Sequence, residues 1–249
     1  MAAPNVDIVF VIDTSFSMQP CFDQLRVHLE HVITPLTGHV SRLRLGLVGH
    51  SASRTEDSVV YDHRFLCAGD LVDALYGHQD DDFALSRLFT SDPILFSRAL
   101  LSLTPHGDEE MLVALDIAAD FPFGPLRNTK RVIILLSDEP FGQGPYGQHH
   151  ITLLPELMAK LAARRILLFA AMPDSEAIQQ LGLLDGSLIA LVNGGDGLRS
   201  VDFDDLLRGM AKSISVASLQ STDEPVFKRA LFGQDQWPST FESGRQDDR

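Results

Sequence analysis

Cysteine and basic residues are both scarce in this chain of 249 residues. The only cysteines are Cys21 and Cys67, too few for the dense disulfide framework of a small secreted domain, so reduced thiols in a cytoplasmic setting are the expectation. Lys and Arg number 20 against 34 Asp and Glu, which gives a formal net charge of -14. This charge and the lack of a basic cluster exclude nucleic acid and anionic membrane as principal partners.

Long apolar runs are also missing. No segment approaches the roughly 20 apolar residues that a membrane-spanning helix needs, and the N-terminus lacks the basic and apolar regions of a secretory signal. Hydrophobic residues nevertheless make up 45% of the chain, which is enough for a substantial core. The expectation is therefore a cytoplasmic α/β protein without a membrane segment.

Apolar segments with strand character alternate with segments of helical periodicity along most of the chain. The alternation predicts an α/β fold of Rossmann-like, doubly wound type, with a mostly parallel sheet, one antiparallel edge strand and helices on both faces. The predicted strands are Val6–Ile12, Leu43–Gly49, Val59–Leu66 (the antiparallel edge strand), Arg131–Ser137, Ile166–Ala171 and Leu188–Val192. The predicted helices are Cys21–Thr37, Pro93–Leu103, Glu109–Asp120, Thr152–Arg164, Ser175–Leu181 and Asp202–Ser215.

The periodicity fades near Ala217, which predicts one domain over residues 1–217 and a tail over residues 218–249. The tail is polar but carries large aromatic side chains, so we expect part of it to dock on this domain or on a partner and the rest to be mobile. These aromatic residues are Phe227, Phe232, Trp237 and Phe241.

Three polar side chains follow the first predicted strand at alternate positions: Asp13, Ser15 and Ser17. Alternate side chains of an extended or turning chain point the same way, so their oxygens can converge on one point. Hard oxygen ligands without Cys or His suit Mg²⁺ rather than zinc. Asp and Ser also cap helices, and a helix is predicted next, so a purely structural role remains the alternative.

Two further segments are expected at the same edge of the sheet. Asp138 directly follows the buried strand Arg131–Ser137, and Gly107–Glu110 lies where the predicted helix Glu109–Asp120 begins. Ligands of doubly wound sheets bind outside the carboxyl ends of the strands, where the strand order reverses. These segments, although remote in sequence, can therefore lie in one crevice with Asp13, Ser15 and Ser17.

Together these motifs resemble the von Willebrand factor type A (VWA) domain with a metal-ion-dependent adhesion site, of the intracellular type. The resemblance spans about Val6 to Ser215 and rests on Asp13-Thr14-Ser15-Phe16-Ser17, His106-Gly107-Asp108-Glu109 and Leu136-Ser137-Asp138. It implies Mg²⁺ or Mn²⁺ as the cofactor. The implied metal ligands are Asp13, Ser15, Ser17, Glu109 and Asp138, with Asp108 as a substitute for Glu109.

The second of these motifs lies in the loop Gly107–Glu110, named the middle loop, which departs from many members of that family because it has an acid instead of a Thr. A carboxylate from Glu109 would hold the metal more firmly and make an acidic partner group less welcome. Alternatively, Glu109 and Asp108 only favour the dipole of the following helix.

The resemblance implies a non-catalytic module that binds another protein through the metal. Intracellular relatives work beside AAA+ ATPases or in multi-protein assemblies, so such a component is an expected partner. The loop Glu139–His150 is expected to form the rim of the site and to supply specificity.

Two other function classes stay open. Gly49-His50-Ser51-Ala52-Ser53 resembles a nucleophile elbow without its last Gly, so a hydrolase that uses Ser51 or the metal is one alternative. A structural domain with an empty site is the other. His149-His150 is interpreted as a solvated pair on the rim, and Gly194–Gly197 as a plain turn rather than a phosphate cradle.

Overall fold

The computed structural model describes residues 5–25, 40–54, 59–67, 70–74, 88–108, 110–143, 147–199, 201–203, 205 and 209. Its strands are β1 (Asn5–Asp13), β2 (Arg42–Arg54), β3 (Val59–Cys67), β4 (Asp70–Ala74), β5 (Thr129–Leu136), β6 (Ile166–Met172) and β7 (Leu188–Leu191). A 3-10 turn, Phe16–Met18, leads into helical residues 19–25, named α1. The other helices are α2 (Pro93–Ser102), α3 (Met111–Ala119), α4 (Gly147–Ile151), α5 (Leu154–Ala163) and α6 (Glu176–Leu181).

The described strands form a seven-stranded sheet in the order β4-β3-β2-β1-β5-β6-β7. Strands β2, β1, β5, β6 and β7 are parallel, and β3 is antiparallel to both β2 and β4. The predicted α/β Rossmann-like class is confirmed. One detail differs, because β4 lies outside the antiparallel strand, which is therefore second from the edge. Pairing with β3 also extends β2 to Arg54, five residues beyond the predicted end at Gly49.

The core consists of two apolar layers, one on each face of the sheet. Along β1, even-numbered residues from Val6 to Ile12 belong to the layer that includes Phe22 of α1 and Phe96 of α2. Val9 and Val11 belong to the layer formed with α3, α5 and α6. Because β1 is covered on both faces, nearly all its side chains are apolar, and the two charged exceptions lie near its ends.

The topology places a crevice at the end of β1. The chain runs from β1 outward through β2, β3 and β4, and then returns to β5 on the other side of β1. This reversal of strand order separates the loops that follow β1 and β5 and opens a space between them. Asp13 lies at the carboxyl end of β1, and Asp138 follows the carboxyl end of β5.

Several predicted features fall partly or wholly outside the described residues. These features are the end of the helix predicted over Cys21–Thr37, most of the predicted helix Asp202–Ser215, the boundary at residue 217 and the tail 218–249. Among the helices of the described part, none is both long and apolar enough to cross a membrane.

Candidate metal centre at the carboxyl edge of the sheet

Asp13 is the last residue of β1, is completely buried, and has both carboxylate oxygens engaged by hydrogen-bond donors. Its Oδ1 accepts a hydrogen bond from the backbone N–H of Ser15 at 2.7 Å, which bends the chain directly after the strand. Its Oδ2 accepts a hydrogen bond from the hydroxyl of Ser137, also at 2.7 Å. Asp13 is therefore held between its own loop and the loop after β5.

The two serines of the motif connect Asp13's loop to Asp138. The hydroxyl oxygens of Ser15 and Ser17 lie 3.0 Å apart, and the Ser17 hydroxyl donates to Oδ1 of Asp138 at 2.8 Å. Adjacent ligands of an octahedral Mg²⁺ ion lie about 2.9 Å apart, since each Mg–O distance is about 2.0–2.1 Å. The oxygen spacings of Ser15, Ser17 and Asp138 thus fit one small cation, and Asp13 joins the same cluster through its bonds to the Ser15 amide and the Ser137 hydroxyl.

Asp138 is also completely buried and is held by a turn that follows β7. The backbone N–H of Gly197 donates to Oδ2 of Asp138 at 2.7 Å, and the N–H of Gly195 donates to its backbone oxygen at 2.8 Å. The sequence interpretation of Gly194–Gly197 as a plain turn therefore missed its contact with the site. The only sequence signal was the cluster of glycines, which permits the positive φ angles at Gly195 (69°) and Gly197 (65°).

The middle loop is fastened beside this cluster by backbone hydrogen bonds. His106 donates its N–H to the oxygen of Thr14 at 2.6 Å, and Asp108 and Ala52 exchange two N–H···O bonds of 2.6 Å. Gly107 has φ +71°, and a Cβ there would lie 2.5 Å from the backbone oxygen of Ala52, so the close approach requires glycine. Asp108 is exposed, and Glu109, the preferred ligand from this loop, lies outside the described residues.

The next residue, Glu110, has a separate partner. Its carboxylate is almost fully buried and contacts Nδ1 of His150 at 2.7 Å. His150 is only 14% exposed, so the interpretation of His149-His150 as a solvated pair is wrong for His150. The contact joins the start of α3 to α4, which contains the end of the predicted rim loop Glu139–His150. Residues 144–146 of that loop lie outside the described part.

The donor set suits a hard divalent cation. In the part of the chain that the structure describes, no group of three or more His, Cys, Asp and Glu side chains converges as a metal cluster. The site instead combines the carboxylates of Asp13 and Asp138 with the hydroxyls of Ser15 and Ser17, a set of oxygens typical of Mg²⁺. Among the described residues, the hydrogen-bond donors to Asp138 are neutral: a hydroxyl and two backbone amides.

An exposed aromatic ring and a groove adjoin this cluster. Phe16 lies between the two serines, and its side chain is 72% exposed, whereas Ser15 is buried. The groove has a volume of about 570 Å³ and runs between the start of α1 and the turn after β7. Its lining residues include Phe16, Ser17, Asp23, Asp196 and Arg199.

Ser51 does not have the surroundings of a nucleophile. It is completely buried, and its hydroxyl has no hydrogen-bond partner among the side chains that the structure describes. Its Cβ and Oγ instead face Gly107 of the middle loop. The nucleophile-elbow interpretation fails because Ser51 pairs with β3 inside the long strand β2 rather than standing on a strand-to-helix turn.

Cys21 lies on α1 close to the carboxylates. It is completely buried and belongs to the same apolar layer as Phe10 and Phe22. Burial raises the pKa of its thiol well above the ordinary value of 9.0, and the negative charges of Asp13 and Asp138 raise it further. The thiolate, which is the reactive form, is therefore suppressed in the folded protein.

In a Cys67→Ser background, we expect Cys21 to resist alkylation by iodoacetamide at about pH 8 until the protein unfolds. Above a pH of about 9.0 the Cys21 thiol of the unfolded protein ionises, whereas that of the folded protein keeps its proton. The free energy of unfolding should therefore fall as the pH rises above 9.0. Mass spectrometry of native and urea-treated protein measures the labelling. Rapid labelling of the native protein would show that Cys21 is accessible.

Comparison with known proteins gives similarity of fold only. The sequence matches no protein-family model and no curated protein. A von Willebrand factor type A protein from Catenulispora acidiphila is 13% identical with a TM-score of 0.49, over 88% of this chain and 43% of that one. Proximal thread matrix protein 1 from the mussel byssus is 15% identical with a TM-score of 0.48, over 87% and 46%. The chain spans less than half the length of these structures, and its similarity to them concerns the α/β fold.

Proposed function

We propose that this protein is a metal-dependent protein-interaction module that binds Mg²⁺ or Mn²⁺ at the carboxyl edge of its sheet. Asp13, Ser15, Ser17 and Asp138 would hold the metal, and Glu109, or Asp108 in its place, would complete the set of ligands. The metal, when bound, would act as a Lewis acid that accepts an oxygen from a partner protein.

The observation that carries the proposal is the burial of Asp138 among neutral donors. Its side chain is 0% exposed, and no basic side chain of the described residues forms an ion pair with it. A buried carboxylate is strongly unfavourable unless an opposite charge or several hydrogen bonds compensate for its lost hydration. A divalent cation beside Ser17 would supply that charge for Asp138 and for the neighbouring Asp13.

The chain's own residues would keep the ligands in place before the metal arrives. Ser137 and the Ser15 amide orient the carboxylate of Asp13, while the Gly197 amide orients that of Asp138. Such hydrogen bonds to ligating groups normally tune metal affinity. Asp13 and Asp138 would balance the formal charge of Mg²⁺, and the serine hydroxyls would add no further negative charge. The metal could therefore still coordinate a carboxylate or a neutral oxygen of the partner. A third carboxylate from Glu109 would favour the neutral oxygen.

The proposed partner is another protein, an AAA+ ATPase or a different component of an intracellular assembly. The exposed Phe16 and the adjoining groove support a protein partner, because an exposed aromatic ring offers a large apolar area to an interface. Neither nucleic acid nor a membrane surface suits a chain with a net charge of -14.

Thermal unfolding with and without Mg²⁺ tests the proposal. At a Mg²⁺ concentration of one hundred times Kd, binding adds about 2.7 kcal/mol to the free energy of unfolding. For a domain of this size that corresponds to a rise of Tm by about 5–10 °C, which EDTA should reverse. Isothermal titration calorimetry measures the same site directly.

The same measurements are made with Mn²⁺. If neither Mg²⁺ nor Mn²⁺ changes Tm or releases heat, the alternative of a structural domain with an empty site would replace the proposal. Capture of partners from the native source with Mg²⁺, and in parallel with EDTA, then tests the interaction itself. The proposal expects the captured partner to be lost in EDTA.

A further inference from the structure

We propose that the turn Gly195–Leu198 is the positioning element of the metal centre and gives it selectivity for Mg²⁺ over Ca²⁺. The inference rests on the proposed function, because it concerns how the same site is built. It assigns a role to a segment that supplies no metal ligand. Neither the motif after β1 nor the motif after β5 contains this segment.

The first observation is that the turn determines the orientation of the Asp138 carboxylate. Oδ1 of Asp138 accepts from the Ser17 hydroxyl at 2.8 Å, and Oδ2 accepts from the Gly197 amide at 2.7 Å. Bonds to both oxygens fix the plane of the carboxylate, which otherwise rotates about its last torsion. The Gly195 amide holds the backbone oxygen of Asp138 at 2.8 Å and so fixes the main chain as well.

The second observation is that the turn packs directly on the other ligand loop. A Cβ on Gly197 would overlap the backbone oxygen of Ser17 and lie 2.7 Å from Cδ of Pro20. Gly197 thus touches the backbone of one ligand-bearing residue, Ser17, and hydrogen-bonds to another, Asp138. Gly197 therefore helps to hold the two loops together, in addition to the direct bonds from Ser137 to Asp13 and from Ser17 to Asp138.

The third observation is the strained backbone of Leu198, which the core holds in place. Three residues of the turn have positive φ: Gly195 (69°), Gly197 (65°) and Leu198 (59°). Leucine rarely adopts this conformation, but Leu198 is completely buried in the same apolar layer as Phe203. Strained backbone persists where the surroundings enforce it, and it is concentrated at functional sites.

Selectivity follows from how differently the two cations tolerate displaced ligands. Mg²⁺ requires nearly ideal octahedral geometry at about 2.0–2.1 Å, whereas Ca²⁺ accepts variable geometry at about 2.3–2.6 Å. A carboxylate fixed at both oxygens, 2.8 Å from the hydroxyl of Ser17, suits the smaller ion. Loosening Asp138 should therefore weaken Mg²⁺ binding more than Ca²⁺ binding.

The experiment is calorimetric titration of Gly197→Ala with Mg²⁺ and, separately, with Ca²⁺. We expect Mg²⁺ affinity to fall about 10- to 100-fold, as for other losses of a group that orients a ligand, and Ca²⁺ affinity to fall less. The ratio of the two affinities is the decisive reading, because a general loss of stability would not change it.

Two other glycine variants serve as matched controls. Gly186→Ala introduces comparable strain, since Gly186 has φ +79° and its Cβ would lie 2.5 Å from Cδ2 of Leu167, remote from the site. It should destabilise the fold and leave both affinities unchanged. Gly195→Ala adds strain within the turn without crowding, because the nearest atom is 3.8 Å away, and it should have a smaller effect than Gly197→Ala.

Unchanged affinities in a folded Gly197→Ala variant, or an equal loss for both cations, would overturn the inference and leave the proposed function standing. A wild-type protein that binds neither cation would overturn the proposed function itself. If Gly197→Ala does not fold, hydrogen exchange of the Gly197 amide in the wild type replaces it. Mg²⁺ should slow this exchange more than Ca²⁺ does, and equal rates with the two cations would contradict the inference.

Discussion

Asp13→Asn is expected to weaken Mg²⁺ binding at least a hundredfold while the protein stays folded. Asn has nearly the same shape as Asp, and its amide oxygen can still accept from the Ser15 amide at the end of β1. Its NH₂ group can donate to the hydroxyl of Ser137, which then acts as the acceptor. The substitution therefore removes mainly the negative charge, and without it the metal loses its strongest attraction to this loop.

The measurements are calorimetric Mg²⁺ affinity, Tm with and without Mg²⁺, and partner capture. Asp174→Asn is the matched control, because Asp174 is an exposed carboxylate that follows β6 at the same edge of the sheet and contacts Gln179. This control should bind Mg²⁺ as the wild type does. Full Mg²⁺ affinity or full partner capture in Asp13→Asn would remove the Asp13 charge from the mechanism.

Asp7→Ala is expected to lower the free energy of unfolding by about 3–5 kcal/mol, the usual effect of removing one partner of a buried ion pair. Asp7 is completely buried near the start of β1 and accepts two hydrogen bonds from Arg44, at 2.7 and 2.5 Å. It also accepts from the Gly124 amide at 2.7 Å. Alanine would leave the partly buried guanidinium of Arg44 and this amide without their carboxylate.

Urea denaturation measures the loss, and the double variant Asp7→Ala/Arg44→Met tests its cause. Methionine removes the uncompensated charge and retains apolar contact with Phe89, over whose ring the Arg44 guanidinium now lies at 4.4 Å. The double variant should be more stable than Asp7→Ala alone. Equal stability of the two would show that the ion pair is not the reason for the loss.

We therefore expect the two buried carboxylates of β1 to serve different purposes. Asp7 has a basic partner on the adjacent strand β2, and its expected role is stability alone. Asp13 lies at the opposite end, in the crevice where strand order reverses, near a second buried carboxylate at Asp138. We expect metal affinity to be unchanged in Asp7→Ala and stability to be nearly unchanged in Asp13→Asn.

The fold class and the position of the candidate site could be predicted because both depend on local pattern. Buried strands appear as apolar runs, and a polar residue directly after such a run must lie at the carboxyl edge of a parallel sheet. Asp13, Ser15 and Ser17 are also close in sequence, so the geometry of a single turn brings them together. The strand β4 escaped prediction because its five residues carry two aspartates and little periodicity.

The contacts that hold the candidate ligands were decided by tertiary structure alone. Gly197 bonds to Asp138 across 59 positions and Ser137 bonds to Asp13 across 124, and no periodicity in the sequence encodes such pairings. The same is true of the Glu110–His150 pair and of the burial of Ser51 beneath the middle loop. The amino-acid sequence by itself determined that Asp13, Ser15 and Ser17 stand at the end of a buried strand, and therefore at the carboxyl edge of the sheet. How rigidly they are held depends on loops that meet only when the sheet has formed.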